Sequence, residues 1–174
     1  MDEKIYFSYS MIHNTIKNLS QQIKESGFEP EVMVAIGTGG FIPARIMKTF
    51  LGIPILTVGI RYYDSENRLQ GEPEKIQWID EVEEKLKGKK VLLVDEVDDT
   101  RSTLEYCLRE LLKQSPEEIA VAVLHKKEKE KKGVIPSAIK RYFCGEVLPD
   151  AWCCYPWDAP DIDEHEKRAS GKST

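Results

Sequence analysis

Val91–Leu104 reads VLLVDEVDDTRSTL, and its three parts ask for three different environments. Val91–Val94 is an unbroken apolar run, as expected of a strand covered by packing on both faces. Asp95, Glu96, Asp98 and Asp99 then place four carboxylates within five residues. Carboxylates that close repel one another, so the cluster is costly unless cations or hydroxyl groups compensate it. Thr100, Arg101, Ser102 and Thr103 follow, with hydroxyls, a cation and backbone N–H groups at the point where Leu104, Cys107, Leu108, Leu111 and Leu112 begin a helical stripe. A helix N-terminus favours anions. One short loop, Asp95–Ser102, thus joins acceptors suited to sugar hydroxyls or Mg²⁺ to donors suited to a phosphate, the combination a phosphorylated sugar needs.

The same strand–loop–helix order recurs on either side. Val32–Ile36 is apolar throughout, Gly37-Thr38-Gly39-Gly40 follows at once, and Ile42, Ile46, Met47, Phe50 and Leu51 mark a helix with Pro43 in its first turn. Ile53–Ile60, Ile119–Leu124 and Tyr142–Val147 read as further strands and Lys4–Phe7 as a short one. Ile12, Ile16, Leu19 and Ile23 form one helical stripe, with Ser10 the expected N-cap and Gly27 the stop. Ile79, Val82 and Leu86 suggest a short helix ending at Gly88. Arg61–Gln77 is polar, aperiodic and long for a passive connection, which predicts a mobile or functional loop. Glu164–Thr174 reads as a disordered tail. Strands alternating with helices predict an α/β fold, a mainly parallel sheet flanked by helices. Ligands of such sheets bind at the carboxyl ends of the strands. The loops Gly37–Gly40, Asp95–Ser102 and the one after Leu124 should therefore converge on one crevice.

With 174 residues the chain is long enough for one domain and short for two. A net charge of -5 argues against a broadly cationic nucleic-acid surface, and no apolar run approaches the roughly 20 residues that cross a bilayer. A cytoplasmic location is the expectation. Cys107, Cys144, Cys153 and Cys154 form no CxxC pair and read as reduced thiols. His13, His125 and His165 show no metal spacing and no triad, and read as structural or surface residues. Two rival chemistries fail on spacing. A calcium loop starting at Asp95 needs Gly sixth and Glu twelfth, where the chain has Thr100 and Tyr106. A nucleoside-triphosphatase reading of VLLVDE needs a Gly-rich loop ending in Gly-Lys-Ser/Thr before a helix, and Gly171-Lys172-Ser173 stands at the very end without one. Gly37–Gly40 is not a dinucleotide fingerprint, since the third glycine would fall on Ile42.

Asp95–Thr103, DEVDDTRST, resembles the phosphoribosyl-diphosphate (PRPP) motif of type I phosphoribosyltransferases: two acids, two variable residues, Asp-Thr, then a small-residue turn and Thr. Ile42–Arg45 (IPAR), Val94–Arg101 (VDEVDDTR) and Tyr155–Ala159 (YPWDA) make the fungal hypoxanthine-guanine and xanthine enzymes the nearest likeness, over Tyr6 to about Asp163. The resemblance implies one domain over 1–174, with a flexible hood at 61–78 and a base-binding segment at 142–163. It implies that Asp95 and Glu96 hold the ribose hydroxyls, that Asp98 through Thr103 (Asp98, Asp99, Thr100, Arg101, Ser102, Thr103) complete the PRPP site, and that Asp99 acts as proton acceptor beside N7 of a purine. Thr38, Gly39 and Gly40 would bind pyrophosphate. Lys126 would meet O6 of the base, Trp152 would stack on it, and the Cys153 backbone would read its edge. Asp158, with Asp95 and Glu96, would help to hold Mg²⁺. Arg101 departs from the family, which commonly has Gly there, so the turn is expected to manage without positive φ. Tyr62 departs likewise, in a hood that usually carries Ser-Tyr. Lys127–Lys132 reads as a solvated charged run.

The implied activity is purine salvage: transfer of 5-phosphoribosyl from PRPP to a 6-oxopurine (hypoxanthine, guanine or xanthine) by a cytoplasmic homodimer or homotetramer that binds neither nucleic acid nor membrane. The alternatives are a non-catalytic PRPP-sensing regulator on the same fold, or the same chemistry on another base.

Overall fold

The structure is a computed structural model that describes residues 3–63 and 69–171, with only the backbone at 62, 63 and 69–72. Six strands form the central sheet: β2 (Val32–Gly37), β3 (Ile55–Tyr63), β4 (Leu69–Gln77), β5 (Lys90–Asp98), β6 (Glu118–Lys127) and β7 (Arg141–Leu148). Their order is β4-β3-β2-β5-β6-β7, parallel except for β4. A separate parallel pair joins β1 (Lys4–Tyr6) to β8 (Trp152–Cys154).

Both faces of the sheet are covered, which is why β2, β5 and β6 are apolar at nearly every position rather than at alternate ones. One core packs Met33, Ala35, Leu92, Val94 and Ala122 under helices α1 (Tyr9–Glu25) and α2 (Phe41–Leu51). The opposite core packs Val34, Val91, Leu93 and Val121 under α3 (Val82–Leu86) and α4 (Ser102–Leu112). In α1 the stripe Ile12, Ile16, Leu19 and Ile23 is buried, as the spacing predicts. Its cap is Ser8 rather than Ser10: Ser8 is extended, and its Oγ accepts from the Met11 N–H at 3.1 Å.

Two further expectations are corrected. The polar stretch before Gln77 is not one long loop, because Leu69–Gln77 is an antiparallel edge strand on β3. An edge strand with one exposed face needs no apolar pattern, which is why it read as loop. The tip of the expected hood, 64–68, and the Tyr62 and Tyr63 side chains lie outside the described residues. Most of the expected tail is helix α5 (Ile162–Ala169), capped by Asp161, whose carboxylate accepts from Glu164 N–H at 3.0 Å. It is held to the body by His165, whose Nε2 is 2.9 Å from the Phe7 carbonyl; residues 172–174 lie outside the described residues.

His125 is 1% exposed, stacked on Phe7 with ring centroids 4.1 Å apart, and its Nδ1 shares a hydrogen bond with the Tyr155 hydroxyl at 2.8 Å. Burial lowers its pKa from 6.5 to about 4, so the folded chain holds a neutral imidazole. The unfolded chain binds a proton there that the folded chain refuses. Folding stability is therefore expected to fall as pH drops from 6.5 towards 4. Thermal melts should lose roughly 5 °C or more over that window, and His125→Gln should flatten the slope. An unchanged slope would show that His125 does not titrate on unfolding.

Candidate active site

A cavity of about 420 Å³ opens at the carboxyl ends of β2 and β5. Its wall brings together three stretches distant in sequence: Gly37–Gly39, Asp95–Leu104 and Trp157–Asp158. Within it β5 continues through Asp98, so Asp95, Glu96 and Asp98 are strand residues rather than a free loop. Asp95 and Glu96 line the cavity. Asp98 does not: it is fully buried beneath the loop, which corrects its assignment to the PRPP-contacting set.

Asp95 is 7% exposed, and Glu96 N–H donates to its Oδ1 at 2.9 Å. Burial, and then the adjacent Glu96 carboxyl, pushes the Asp95 pKa well above the usual carboxylate range. The pair suits a ligand that brings hydroxyl donors or positive charge. Gly39 closes over it so tightly that a Cβ there would fall 2.1 Å from the Glu96 carboxyl carbon. Since a carboxylate at the end of a flexible chain can swing aside, Gly39→Ala should leave the melting temperature nearly unchanged but displace Glu96. PRPP KM is expected to rise by about tenfold; steady-state kinetics with PRPP varied decides, and an unchanged KM would remove Glu96 from the ribose site. Thr38 lines the cavity with Gly39, whereas Gly40 gives its N–H to Ile36 O at 2.9 Å and caps α2 inside the turn. Gly40 is thus a packing residue of the loop, not a donor to the cavity.

Thr100, Arg101 and Thr103 also line the cavity. Ser102 is absent from the wall, and its Oγ accepts from Thr100 Oγ1 at 3.3 Å. Arg101, the residue in the usual glycine position, adopts φ 71°, contrary to the expected turn without positive φ. A left-handed non-glycine residue costs about 1–2 kcal/mol. Its side chain provides the offset: Nε and Nη2 donate to Asp98 Oδ2 at 3.1 and 2.8 Å. The Asp98 bonds outweigh the effect of burial and raise the Arg101 pKa. The guanidinium is therefore spent on Asp98.

Lys126 was expected to meet the base, but of the two adjacent lysines it is Lys127 that the structure turns towards Asp99 and Trp152. Strand β6 runs on to Lys127, which is buried, with Nζ 3.4 Å from Asp99 Oδ1 and 5.9 Å from the centre of the exposed Trp152 ring. Lys126 instead adds its charge to the surroundings of Cys144. Two adjacent lysines are indistinguishable by type, and only the direction of the strand separates them. Lys129 was also missed in the charged run: it bridges Asp99 Oδ1 at 3.1 Å and Asp150 Oδ1 at 2.9 Å. Burial would raise the Asp99 pKa, but Lys129 and Lys127 outweigh it and hold the carboxyl below its usual range. Among the described residues, Asp99 Oδ1 has no well-directed hydrogen bond. These are ion pairs of poor angle around a buried oxygen.

Trp152 and Cys153 wall a neighbouring cavity of about 440 Å³, and Asp158 stands in the walls of both. No cluster of three metal-binding side chains occurs among the described residues. Asp95, Glu96 and Asp158 share the wall of one cavity without forming a closed metal cage.

A family model for the phosphoribosyl transferase domain matches residues 8–152. The chain belongs to this family. It is 39% identical to the hypoxanthine-guanine phosphoribosyltransferase of Schizosaccharomyces pombe over 96% of this chain and 95% of that protein. With xanthine phosphoribosyltransferase 1 of Saccharomyces cerevisiae the identity is 36%, over 98% and 97%. A hypothetical protein from Neisseria gonorrhoeae, solved with bound ppGpp, superposes with a TM-score of 0.92 at 50% identity, covering 99% of both chains. The phosphoribosyltransferase fold and the expected likeness to fungal purine enzymes are therefore shown.

Proposed function

We propose that the chain transfers the 5-phosphoribosyl group of PRPP to N9 of a 6-oxopurine, releasing pyrophosphate, as a purine-salvage enzyme. The observation that carries this reading is the double placement of Asp99. It lines the ribose-phosphate cavity and also faces Lys127 beside the exposed Trp152. In this reading the 5′-phosphate sits on the amides and hydroxyls of Thr100–Thr103, the ribose hydroxyls on Asp95 and Glu96, and the diphosphate against Thr38 and Gly39. The purine stacks on Trp152, gives O6 to Lys127, and meets the Cys153 backbone at its edge.

N9 then attacks C1′ as the bond from C1′ to the diphosphate oxygen breaks, and the N7 proton passes to Asp99. Positive charge develops on the ribose ring, where Asp95 and Glu96 are its nearest carboxylates. Asp158, Asp95 and Glu96 would hold Mg²⁺, which would supply charge neutralisation for the leaving diphosphate. The β3–β4 hairpin is the hood that keeps water from PRPP. Likeness to the two yeast enzymes supports the 6-oxopurine class.

The test is a PRPP- and Mg²⁺-dependent assay with hypoxanthine, guanine, xanthine and adenine separately. Turnover of at least one 6-oxopurine and none of adenine is expected. No turnover of any purine would overturn the enzyme and leave a PRPP-sensing regulator. Cytoplasmic homodimers or homotetramers are the form we propose, checked by fractionation and light scattering. A second reading is favoured by the Neisseria gonorrhoeae relative with bound ppGpp. That molecule carries a guanine and ribose-borne diphosphates, the same groups as purine plus PRPP, so it would compete with PRPP for this cavity. Inhibition competitive with PRPP supports the reading, and its absence removes it.

A further inference from the structure

The groups behind the phosphate loop are as unusual as those in front of it. Asp98 is fully buried, yet it is surrounded by donors from three separate elements. Arg101 grips it from the loop, the Tyr142 hydroxyl on β7 donates to Oδ2 at 2.6 Å, and Lys131 Nζ, from the segment after β6, lies 3.5 Å from Oδ1. The Lys131 ammonium also donates to the carbonyls of Asp98 and Asp99, at 2.7 Å each. The next two residues continue the clasp, since Lys132 and Gly133 N–H groups donate to Thr100 O at 3.0 and 3.1 Å. Gly133 is needed there: a Cβ would fall 2.5 Å from the Arg101 carbonyl oxygen, which is backbone and cannot swing away. These contacts fasten Asp98, Asp99 and Thr100, the residues leading into Arg101, which is left-handed without being glycine.

We propose that Tyr142 and Lys131 are positioning residues for the 5′-phosphate loop, acting through Asp98 to keep Arg101 left-handed so that the amides of Thr100–Thr103 point into the cavity. Glycine adopts that conformation unaided. Here an arginine adopts it, and the buried carboxylate with its three donors supplies the restraint. The segment Lys131–Gly133 is thereby an outer wall of the PRPP site rather than a solvated run. Neither residue touches substrate, so their effect should fall on PRPP alone.

The inference rests on the PRPP-binding reading proposed above, and the experiment separates the two. Calorimetry with PRPP and Mg²⁺ on the wild-type chain comes first; absence of binding would overturn the function and the brace with it. Given binding, Tyr142→Phe removes one hydroxyl and should raise PRPP KM and Kd about tenfold, with purine KM within twofold. Lys131→Met should act in the same direction and repeats the test should Tyr142→Phe fold poorly. The deciding arm is the Arg101→Gly background, in which Tyr142→Phe should have no further effect on PRPP affinity, because glycine needs no brace. A purely structural network would instead lower the melting temperature of both variants and leave PRPP affinity unchanged, or weaken it equally in both backgrounds. Either result overturns the proposal.

Discussion

Replacing Asp99 by asparagine is expected to lower kcat by about 100- to 1000-fold while PRPP Kd changes less than threefold. Asparagine keeps the shape and can still accept one hydrogen bond, but it cannot take up the proton leaving N7. The expected size follows from the environment of the wild-type group. Lys129 and Lys127 hold Asp99 ionised, so the acceptor is present throughout the neutral range. The Asp99 side chain is 41% exposed, and in the proposed reading PRPP has its own contacts at Asp95, Glu96 and the amides of Thr100–Thr103. Binding should therefore survive while the chemical step does not. Single-turnover kinetics on preformed enzyme–PRPP complex measures the step directly, and calorimetry measures the affinity. Equal losses in both would move Asp99 from proton acceptor to a PRPP ligand.

The place of Asp99 on the cavity wall was legible in the sequence, and the reasons bear on what was not. Val91–Val94 followed by acids and hydroxyls signals a buried strand entering an anion site, because few other environments tolerate four carboxylates together. Gly39 and Thr38 were legible for a similar reason, as a tight turn at a strand's carboxyl end. The errors at the site share a cause: each needed a side-chain direction or a partner far away in sequence. Asp98 looks like its neighbours in composition, yet it faces Tyr142, 44 residues away, instead of the cavity. Arg101 read as a departure that had to avoid positive φ, because the residue restraining it is invisible until the fold brings Lys131 and Tyr142 to Asp98. Helix α5 is short and highly charged; its Asp161 cap, three residues before Glu164, was a local signal that went unread, whereas the His165 contact to Phe7, 158 residues away, was beyond any local pattern.

The Lys126–Lys127 pair turns the same problem into a measurement. Lys127→Met is expected to raise purine KM by about 50-fold or more, the cost of losing a buried charged donor to a carbonyl oxygen. Lys126→Met should change it less than twofold. The difference follows from where strand β6 sends the two side chains. Lys127 is buried beside Asp99 and over Trp152, so its ammonium has few partners other than Asp99 and an incoming base. Methionine fills similar space without the charge, so the loss reports recognition rather than a collapsed pocket. It should also leave PRPP affinity nearly intact, since Lys127 lies outside the ribose-phosphate wall. Lys129 remains beside Asp99 in the variant and keeps that carboxyl ionised, which confines the defect to binding of the base. An ammonium at this point asks for an acceptor at C6, which hypoxanthine, guanine and xanthine offer and adenine does not. Purine KM measured with PRPP saturating decides the matter. A large effect at Lys126 with none at Lys127 would reverse the geometry of the base site, and equal small effects would place O6 recognition on some other group.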